Sequence, residues 1–320
     1  MAEFFKLNIY AMLCGFVIDL IIGDPEGWPH PVIYVGKYIS FVEKRIRNSS
    51  KSSEETRRKA VFLGISTVLV TMAITAALLF AAGLLGRAPQ FVLMSIISWT
   101  CLSAKCLAVE GRGVARALGV SLEVGRKQVA RIVGRDTQSL LEDEILAATV
   151  ETVAENTTDG VIAPMLYLAL GGPVLGMGFK AASTLDSMVG YLDEKFRDIG
   201  WYSAKQDDVL NYIPARLCGF LMSIGAFLGG MDSKNALKIM KRDHANHLSP
   251  NCAWSEAAAA GAMHIQLGGT HTYFGKVVEK PTIGDKDREI RTEDVNNTIK
   301  LMDISAGFTA LIALLIAVIL

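Results

Sequence analysis

The stretch Ala60–Leu85, AVFLGISTVLVTMAITAALLFAAGLL, contains no charged residue. A helix needs about 20 apolar residues to cross the hydrocarbon core of a bilayer, so this run is long enough. A second run, Leu301–Leu320, carries one charged residue, Asp303, near its start. Between the two runs the chain is rich in Asp, Glu, Asn, Arg and His. The sequence therefore indicates a membrane protein that carries enzyme-like polar clusters.

The composition supports this interpretation. The 320 residues are 51% hydrophobic and 20% charged, and the mean hydropathy of +0.34 is high for a soluble domain. Lys+Arg and Asp+Glu both number 32, so no net charge attracts nucleic acid. The five cysteines include no C-x-x-C pair, which argues against a disulfide framework or a zinc knuckle. We expect one integral membrane domain over residues 1–320, with the first apolar run retained as an anchor.

Hydropathy predicts an all-α, polytopic membrane protein that also has helical cytoplasmic segments. The candidate membrane segments are residues 7–23, 60–85, 91–109, 161–179, 209–230 and 301–320.

Two of these segments are irregular. The fourth contains Pro164 and Gly171-Gly-Pro173, and the fifth begins with Asn211, Pro214 and Arg216, which leaves only about 14 uncharged residues. Irregular backbone at membrane depth must be surrounded by protein or water. We therefore expect Gly/Pro-broken or re-entrant helices in both segments.

The distribution of Lys and Arg predicts the orientation. Residues 24–59 hold eight Lys/Arg, whereas residues 86–90 hold only Arg87, so the first stretch should be cytoplasmic and the second external. If the fourth and fifth segments both span, residues 180–208 lie outside. If both re-enter, every polar cluster from residue 110 to residue 300 lies on the cytoplasmic side of the cell membrane. We favour the second arrangement because it brings the clusters together.

The polar stretches are predicted to be mainly helical. Ser139–Asn156 is rich in helix formers. Ser249-Pro250 has the residues of a helix start, and Gly268-Gly269 those of a helix end. The region Thr272–Val278 is the one most typical of short strands.

Three carboxylates recur at four-residue spacing, Glu151, Glu155 and Asp159, and share one helix face. Such a row repels itself unless a cation lies among the carboxylates, and Mg²⁺ with phosphate oxygens is one candidate. A solvated acidic surface is the alternative. The neighbouring Asn156 and Gly160 favour a binding site, because a plain surface helix needs neither.

Cationic and mixed clusters accompany these acids. Arg131 and Arg135 lie about one helical turn apart, a spacing suited to phosphate or carboxylate groups, although an ion pair with Asp136 would also explain it. A cluster of Asp207, Asp208, Asn211 and Arg216 lies at the start of the fifth segment. Charges at the end of an apolar segment are costly unless they form ion pairs or bind a ligand, and Arg216 could equally pair with an Asp. Asp186 is likewise a lone acid inside a weakly apolar stretch.

Histidines occur near the predicted helix start at Ser249. His247 and Asn251 would flank free backbone N–H groups that favour an anion. The spacing of the histidines fits no standard zinc pattern. His30, between two prolines, is most simply part of a tight turn. The sequence contains no Walker A, dinucleotide-binding or nucleophile-elbow motif.

Together these motifs resemble the CbiB/CobD family of cobalamin biosynthesis, adenosylcobinamide-phosphate synthase. The resemblance covers nearly the whole chain in order. Its motifs are Asp24-Pro25 with Pro29–Val32, Val133–Thr137, Glu151–Val161 with Ala163-Pro164, Thr184–Tyr191, Asp207–Arg216, and His247–Asn251 with Glu256–Gly261 and Leu267–Gly269. The chain departs from the family pattern at Cys252-Ala253, where a small residue and Gly are usual, at Ser255, where Pro is common, and at Ala259, where Met is common.

The resemblance implies an ATP-dependent amide ligase that joins adenosylcobyric acid to aminopropanol or its O-phosphate, with Mg²⁺ as cofactor. Residue chemistry then indicates roles for the polar residues of these motifs. Glu151, Glu155 and Asp159 would bind Mg²⁺-ATP with help from Asn156, and the phosphate groups would be contacted by Arg135 and Arg216. His247 and Asn251 would orient substrate or move the amine proton. A second Mg²⁺ or the amine would be held by Asp186, Asp207, Asp208 and Asn211.

Two other function classes remain open. A transporter would also contain intramembrane acids and broken helices, although no inverted repeat is visible. A non-catalytic scaffold for other cobalamin-biosynthesis enzymes is the second. The expected partners are the two substrates, the lipid bilayer and possibly those enzymes, with no nucleic acid.

Overall fold

The computed structural model describes residues 2–25, 27–191, 194–273 and 276–320 and is predominantly helical. In chain order its helices are α1 (Ala2–Ile22), α2 (Pro31–Ser49), α3 (Ser53–Leu84), α4 (Arg87–Cys101), α5 (Ala104–Leu118), α6 (Leu122–Val129), α7 (Glu142–Thr157), α8 (Ala163–Val189), α9 (Trp201–Leu210), α10 (Tyr212–Leu228), α11 (Ser233–Asp243), α12 (Cys252–Met263) and α13 (Thr292–Ile319). A π-helical turn, Thr158–Ile162, joins α7 to α8. The all-α prediction is confirmed.

Four short strands follow α12: β1 (Leu267–Gly268), β2 (His271–Tyr273), β3 (Lys276–Val278) and β4 (Thr282–Ile283). They form two antiparallel pairs, with Leu267 opposite Ile283 in one and Thr272 opposite Val277 in the other. The predicted strand region is confirmed.

Among the described residues, five helical stretches are long and apolar enough to span a membrane: Ala2–Ile22, Ser53–Leu84, Arg87–Leu118, Glu142–Val189 and Thr292–Ile319. A bent pair, Trp201–Leu210 with Tyr212–Leu228, is a sixth candidate. Each predicted segment falls on one of these. Each helical stretch begins before the predicted start of its segment, because backbone hydrogen bonding also includes polar residues that precede the apolar run.

Helix α3 shows how the opening stretch folds. The hydroxyl of Ser52 caps it by accepting from the Glu55 N–H at 3.2 Å. Within the apolar run, the hydroxyls of Thr67, Thr71 and Thr75 each donate to the carbonyl four residues earlier, at 2.7–2.9 Å. These hydroxyls are thereby satisfied without water, as a membrane helix requires.

The two irregular segments are broken where the sequence predicts. Gly171 and Gly172 have non-helical backbone inside α8, with φ of 63° at Gly172, and Pro173 follows. At Asn211 the bent pair changes direction by 51°. Gly/Pro-broken helices are therefore present.

The chain divides into two compact units. The first comprises Met1–Ser103, Ala163–Asn211 and Ala310–Leu320. Within it α1 packs closely on α4, because a Cβ at Gly15 would lie 2.7 Å from the Ser98 Cβ. A buried cluster that includes Ile39, Leu63, Leu185 and Ile199 joins α2, α3 and α8.

The second unit comprises Ala104–Ile162 and Tyr212–Thr309. Its core around α7 contains Val114, Val129, Leu140, Ile145 and Ala148. Helix α12 is rich in alanine, and all of Ala257–Ala262 is buried. Small side chains let neighbouring helices approach closely, and a Cβ at Gly261 would lie 2.8 Å from the Asn235 carbonyl of α11. These contacts hold α7 and α12 in place.

Two predicted boundaries of α12 are wrong. The helix begins at Cys252, not at Pro250, because the Ser249 hydroxyl accepts from the Asn251 N–H in a local turn at 3.2 Å. It ends at Met263, with His264 in the left-handed region at φ 57°, whereas Gly268 belongs to β1. The early end returns the chain towards α7, which creates a cavity wall.

Candidate functional site

A cavity of about 130 Å³ opens in the second unit. Its wall combines acids, cations and amides from α7, α12 and the connecting loops. The lining residues are Ile132, Val133, Gly134, Arg135, Glu151, Thr152, Glu155, Asn156, His247, Glu256, Gly268 and Lys280.

Arg135 and Glu151 form a buried ion pair on one side of the cavity. Their side chains are 7% and 10% exposed. The other Glu151 oxygen accepts from the Gly268 N–H at 2.7 Å, which ties α7 to β1. Because Glu151 is held by a guanidinium and a backbone amide, its carboxylate is fixed and charge-compensated.

Glu155 lies one turn further along α7. Its Oε1 accepts from the Cys252 Sγ at 2.9 Å, at the start of α12. Burial and the nearby Glu155 and Glu256 carboxylates raise the pKa of the Cys252 thiol well above its usual range. Cys252 is therefore protonated and acts as a hydrogen-bond donor rather than as a thiolate nucleophile.

Glu256 follows Cys252 by one turn and is only 3% exposed. Burial, together with the charges of Glu155 and Glu151, raises the pKa of the Glu256 carboxyl well above its usual range, while Lys280 and Arg135 act in the opposite direction. Buried carboxyls with raised pKa values are typical of acid–base sites.

The His247 ring is oriented by the backbone. Its Nδ1 accepts from the Ser249 N–H at 3.0 Å, so the proton of the neutral ring lies on Nε2. Burial is the main effect and lowers the pKa of His247, although Glu155 opposes it. The neutral imidazole can therefore donate a hydrogen bond to a cavity occupant.

Asn156 and Asp159 differ in position although both follow Glu155 closely. Asn156 lines the cavity, and its Nδ2 donates to the Thr152 carbonyl at 2.9 Å. Asp159 lies in the π turn, outside the cavity lining, and its negative charge helps to raise the pKa of the Cys252 thiol.

Arg216 and Asn251 belong to the same unit but not to the cavity wall. The Arg216 guanidinium stacks 3.4 Å from the ring centre of Tyr212 and 4.9 Å from that of Trp254. One of its nitrogens lies 3.5 Å from the Asn251 Oδ1, a long contact. The aromatic rings thus fix a guanidinium beside the start of α12.

Asp186, Asp207, Asp208 and Asn211 lie in the first unit. The Asn211 Nδ2 donates to Asp207 at 3.0 Å, and the Lys205 Nζ lies 3.3 Å from Asp208. The hydrogen bonds of Arg216 reach the Tyr212 carbonyl and the Asn251 Oδ1 rather than these acids.

The two arginines of the predicted phosphate-binding pair point to different partners. Residues 130–135 form turns rather than a helix. Arg131 pairs with Glu110 at 3.0 Å, whereas Arg135 pairs with Glu151. The prediction of two arginines one helical turn apart is therefore wrong, and only Arg135 lines the cavity.

Three cavity features went unassigned from the sequence: Lys280, Glu256 and the Cys252 thiol. Lys280 lies in the loop between β3 and β4, where no motif marks it. Glu256 could have been found, because it follows Cys252 by four residues and so shares its helix face.

The side chains that line the cavity could bind Mg²⁺ only if substrate phosphate oxygens supply part of its coordination. In the described parts of the chain, no three His, Cys, Asp or Glu side chains converge closely enough to hold a metal ion. Mg²⁺ nevertheless binds commonly through one or two carboxylates, with waters and substrate phosphates completing the octahedron. Of the three predicted ligands, Glu155 is the one that lines the cavity without a guanidinium partner.

Comparison with known proteins identifies the family. The profile of the family described as CobD/Cbib protein matches residues 12–302. The cobalamin biosynthesis protein CobD of Clostridium perfringens is 44% identical over 97% of this chain and 98% of its own length. The cobalamin biosynthesis protein CbiB of Salmonella typhimurium is 45% identical over 97% of both chains. No solved structure is significantly similar to the chain.

These matches extend over both units, and the residue clusters that line the cavity fall within them. The chain therefore belongs to the CobD/CbiB family of cobalamin biosynthesis proteins.

Proposed function

We propose that this protein is an ATP-dependent amide ligase that joins a carboxylate of adenosylcobyric acid to 1-aminopropan-2-ol or its O-phosphate. The observation that carries the proposal is the cavity itself. It sets cationic and hydrogen-bond-donating groups, Arg135, Lys280 and His247, against two carboxyls, the half-buried Glu155 and the buried Glu256. Both sets of groups are needed to make an amide from an acid and an amine.

The chemistry explains why two kinds of group are required. Amide formation from a free carboxylate is unfavourable in water, so the acid must first be activated. In the proposed reaction the corrinoid carboxylate oxygen attacks the γ-phosphorus of ATP and ADP leaves. The amine nitrogen then attacks the acyl carbon, and phosphate leaves with the shared oxygen. Fixed cations and N–H donors stabilise the charge that develops on the phosphoryl oxygens.

Particular residues would serve these needs. Lys280, which lines the cavity, and the Nε2–H of His247 would bind phosphate oxygens. Arg135 would add charge from its fixed position beside Glu151. Mg²⁺ would enter with ATP and be held by Glu155; when bound, it neutralises charge on the phosphates. Arg135, Glu155, His247 and Lys280 are all half-buried, so a bound substrate would restrict the access of water that could hydrolyse the activated acid.

Turnover by the purified chain tests the proposal. The full-length protein in detergent or nanodiscs, with ATP, Mg²⁺, adenosylcobyric acid and either amine, should release ADP and form the amide, detected by mass spectrometry. Glu155→Gln and His247→Ala should each lower the rate about 100-fold or more. Glu123→Gln is the matched control, because Glu123 is a 75% exposed carboxylate paired with Lys127 in the same unit.

Two other function classes predict different results. A transporter in sealed vesicles would accumulate corrinoid and give no covalent product. A scaffold would let corrinoid conversion by other enzymes proceed unchanged with Glu155→Gln. Absence of amide and of ADP release from folded wild-type protein would contradict the ligase proposal.

A further inference from the structure

The cavity carries an excess of negative charge. Its lining includes three carboxyls, Glu151, Glu155 and Glu256, but two permanent cations, Arg135 and Lys280. With His247 neutral and all three carboxyls ionised, one negative charge is left over. A buried charge of this kind is costly unless it is protonated or meets a cation.

The excess lies on the side of the cavity formed by Glu155 and Glu256. Glu151 is bound by Arg135 and the Gly268 N–H, and Glu155 accepts from Cys252. Glu256 is only 3% exposed and lines the cavity, where its neighbours act on it through charge: Glu155 and Glu151 oppose its ionisation, and Lys280 and Arg135 favour it. A buried acid that faces a cavity is a position where a ligand can supply a hydrogen-bond donor.

The size and charge of the cavity limit that ligand. At about 130 Å³ the cavity lies below the roughly 300–1,000 Å³ typical of pockets for drug-sized ligands. It can enclose a small polar group but not a corrin ring. The single excess charge matches a monovalent cation, and the described residues offer no group of ligands that could bind a divalent metal ion without phosphate.

We infer that the ammonium group of the small amine substrate binds in this cavity against Glu256, and that Glu256 accepts the proton which makes the nitrogen nucleophilic. This inference rests on the proposed function. An N–H bond of the ammonium breaks, and its proton moves to a Glu256 oxygen. The nitrogen lone pair then forms the C–N bond to the acyl phosphate, the C–O bond to phosphate breaks, and the second proton leaves with the phosphate.

The assignment gives His247 and Glu256 separate tasks. The Nδ1 of His247 is occupied by the Ser249 N–H, so its neutral ring lacks a free lone pair to take a proton. Glu256 lines the cavity with a carboxyl group that can accept a proton. Glu256 is therefore the catalytic base, and His247 is a donor.

Amine binding without nucleotide tests the inference. Isothermal titration of the full chain with 1-aminopropan-2-ol should show binding, and propane-1,2-diol, which has a hydroxyl in place of the amine, should show none. Glu256→Gln should weaken amine binding at least tenfold, whereas Glu123→Gln should leave it unchanged. Equal affinity of wild type and Glu256→Gln, or equal binding of the diol, would overturn the inference.

A measurement on wild-type protein covers the case in which Glu256→Gln does not fold. Titrations in two buffers of different ionisation enthalpy report protons released when the ammonium displaces the proton held by Glu256. We expect net proton release within pH 5–8, and none at any pH in that range would contradict the inference. The other titratable groups that face Glu256 are Glu151, Glu155, Arg135, His247, Cys252 and Lys280.

The two proposals can fail separately. If the amine binds through Glu256 but no amide forms with ATP and corrinoid, the ligase function is wrong and the amine site stands. If the amide forms and Glu256→Gln keeps the wild-type KM for the amine and the same pH profile, the ligase function stands and the amine site is wrong.

Discussion

At the residue scale, the site depends on how buried charges are compensated. Arg135 and Glu151 neutralise each other within the wall, and Glu155 has a thiol donor. Glu256, the third cavity carboxyl, is only 3% exposed. The Arg135–Glu151 side of the cavity is thus charge-compensated, and the Glu256 side is where we propose that a ligand binds.

The Arg135–Glu151 pair predicts a non-additive pattern of stability. Arg135→Met and Glu151→Gln should each destabilise the protein by about 3 kcal/mol, because each leaves an uncompensated buried group. The double variant should lose less than the sum of the two. Unfolding of the purified protein in detergent measures this. Additive losses would show that the two side chains do not interact.

The pKa of Glu256 predicts how stability depends on pH. Because the folded pKa lies above the unfolded value, near 4.5, the protonated carboxyl contributes stability fully below the unfolded pKa. This contribution is lost as pH rises through the folded pKa. The melting temperature of wild type relative to Glu256→Gln should therefore fall from pH 5 to pH 8. A constant difference would contradict the raised pKa.

At the element scale, breaks in helices position backbone and side chains that a straight helix could not. The π turn 158–162 displaces Asp159 from the line of Glu151 and Glu155, although simple helical spacing puts all three on one face. The break in α8 at Gly172 lies against α1, where a Cβ would sit 2.5 Å from the Asn8 Oδ1.

Gly172→Ala should consequently destabilise the protein by about 1–2 kcal/mol, because φ there is 63° and the added methyl meets Asn8. Gly307→Ala in α13 is the matched control, since no atom lies within 4 Å of its Cβ position. It should be neutral or stabilising by roughly 0.5–1 kcal/mol. Thermal unfolding of both variants would decide, and equal effects would argue against a structural role for the break.

At the scale of the whole molecule, the chain is a multi-pass membrane protein with five strong candidate spans among its described residues. The Lys/Arg distribution predicts its sidedness, and in the predicted arrangement residues 110–300 lie on the cytoplasmic side. Each compact unit contains part of the polar sequence, and the cavity belongs to the second.

Labelling of single cysteines tests that arrangement. In a cysteine-depleted background, Lys195→Cys should react with an impermeant maleimide only from the cytoplasmic side. Glu123→Cys should behave in the same way, and Arg87→Cys should react only from outside. Labelling of position 195 from outside alone would show that the fourth and fifth segments both span.

The sequence by itself determined the membrane character, the broken helices and the carboxylate row on α7. Hydropathy, Gly/Pro placement and four-residue spacing act over one or two helical turns, so they can be read along the chain. The start of α12 was misplaced because a serine–proline pair can form a turn as readily as a helix start, and distant packing decides between them.

Only the tertiary structure decided which charges meet. Lys280 reaches the cavity through a loop after β3, Cys252 faces Glu155 across two helices, and Asp159 lies outside the cavity lining. Such contacts join residues far apart in sequence, and their strength depends on burial, which raises the energy of an uncompensated charge. Local patterns carry no information about that burial, so spacing can place Glu256 on the same helix face as Cys252 but cannot show that its carboxyl is buried beside a cavity.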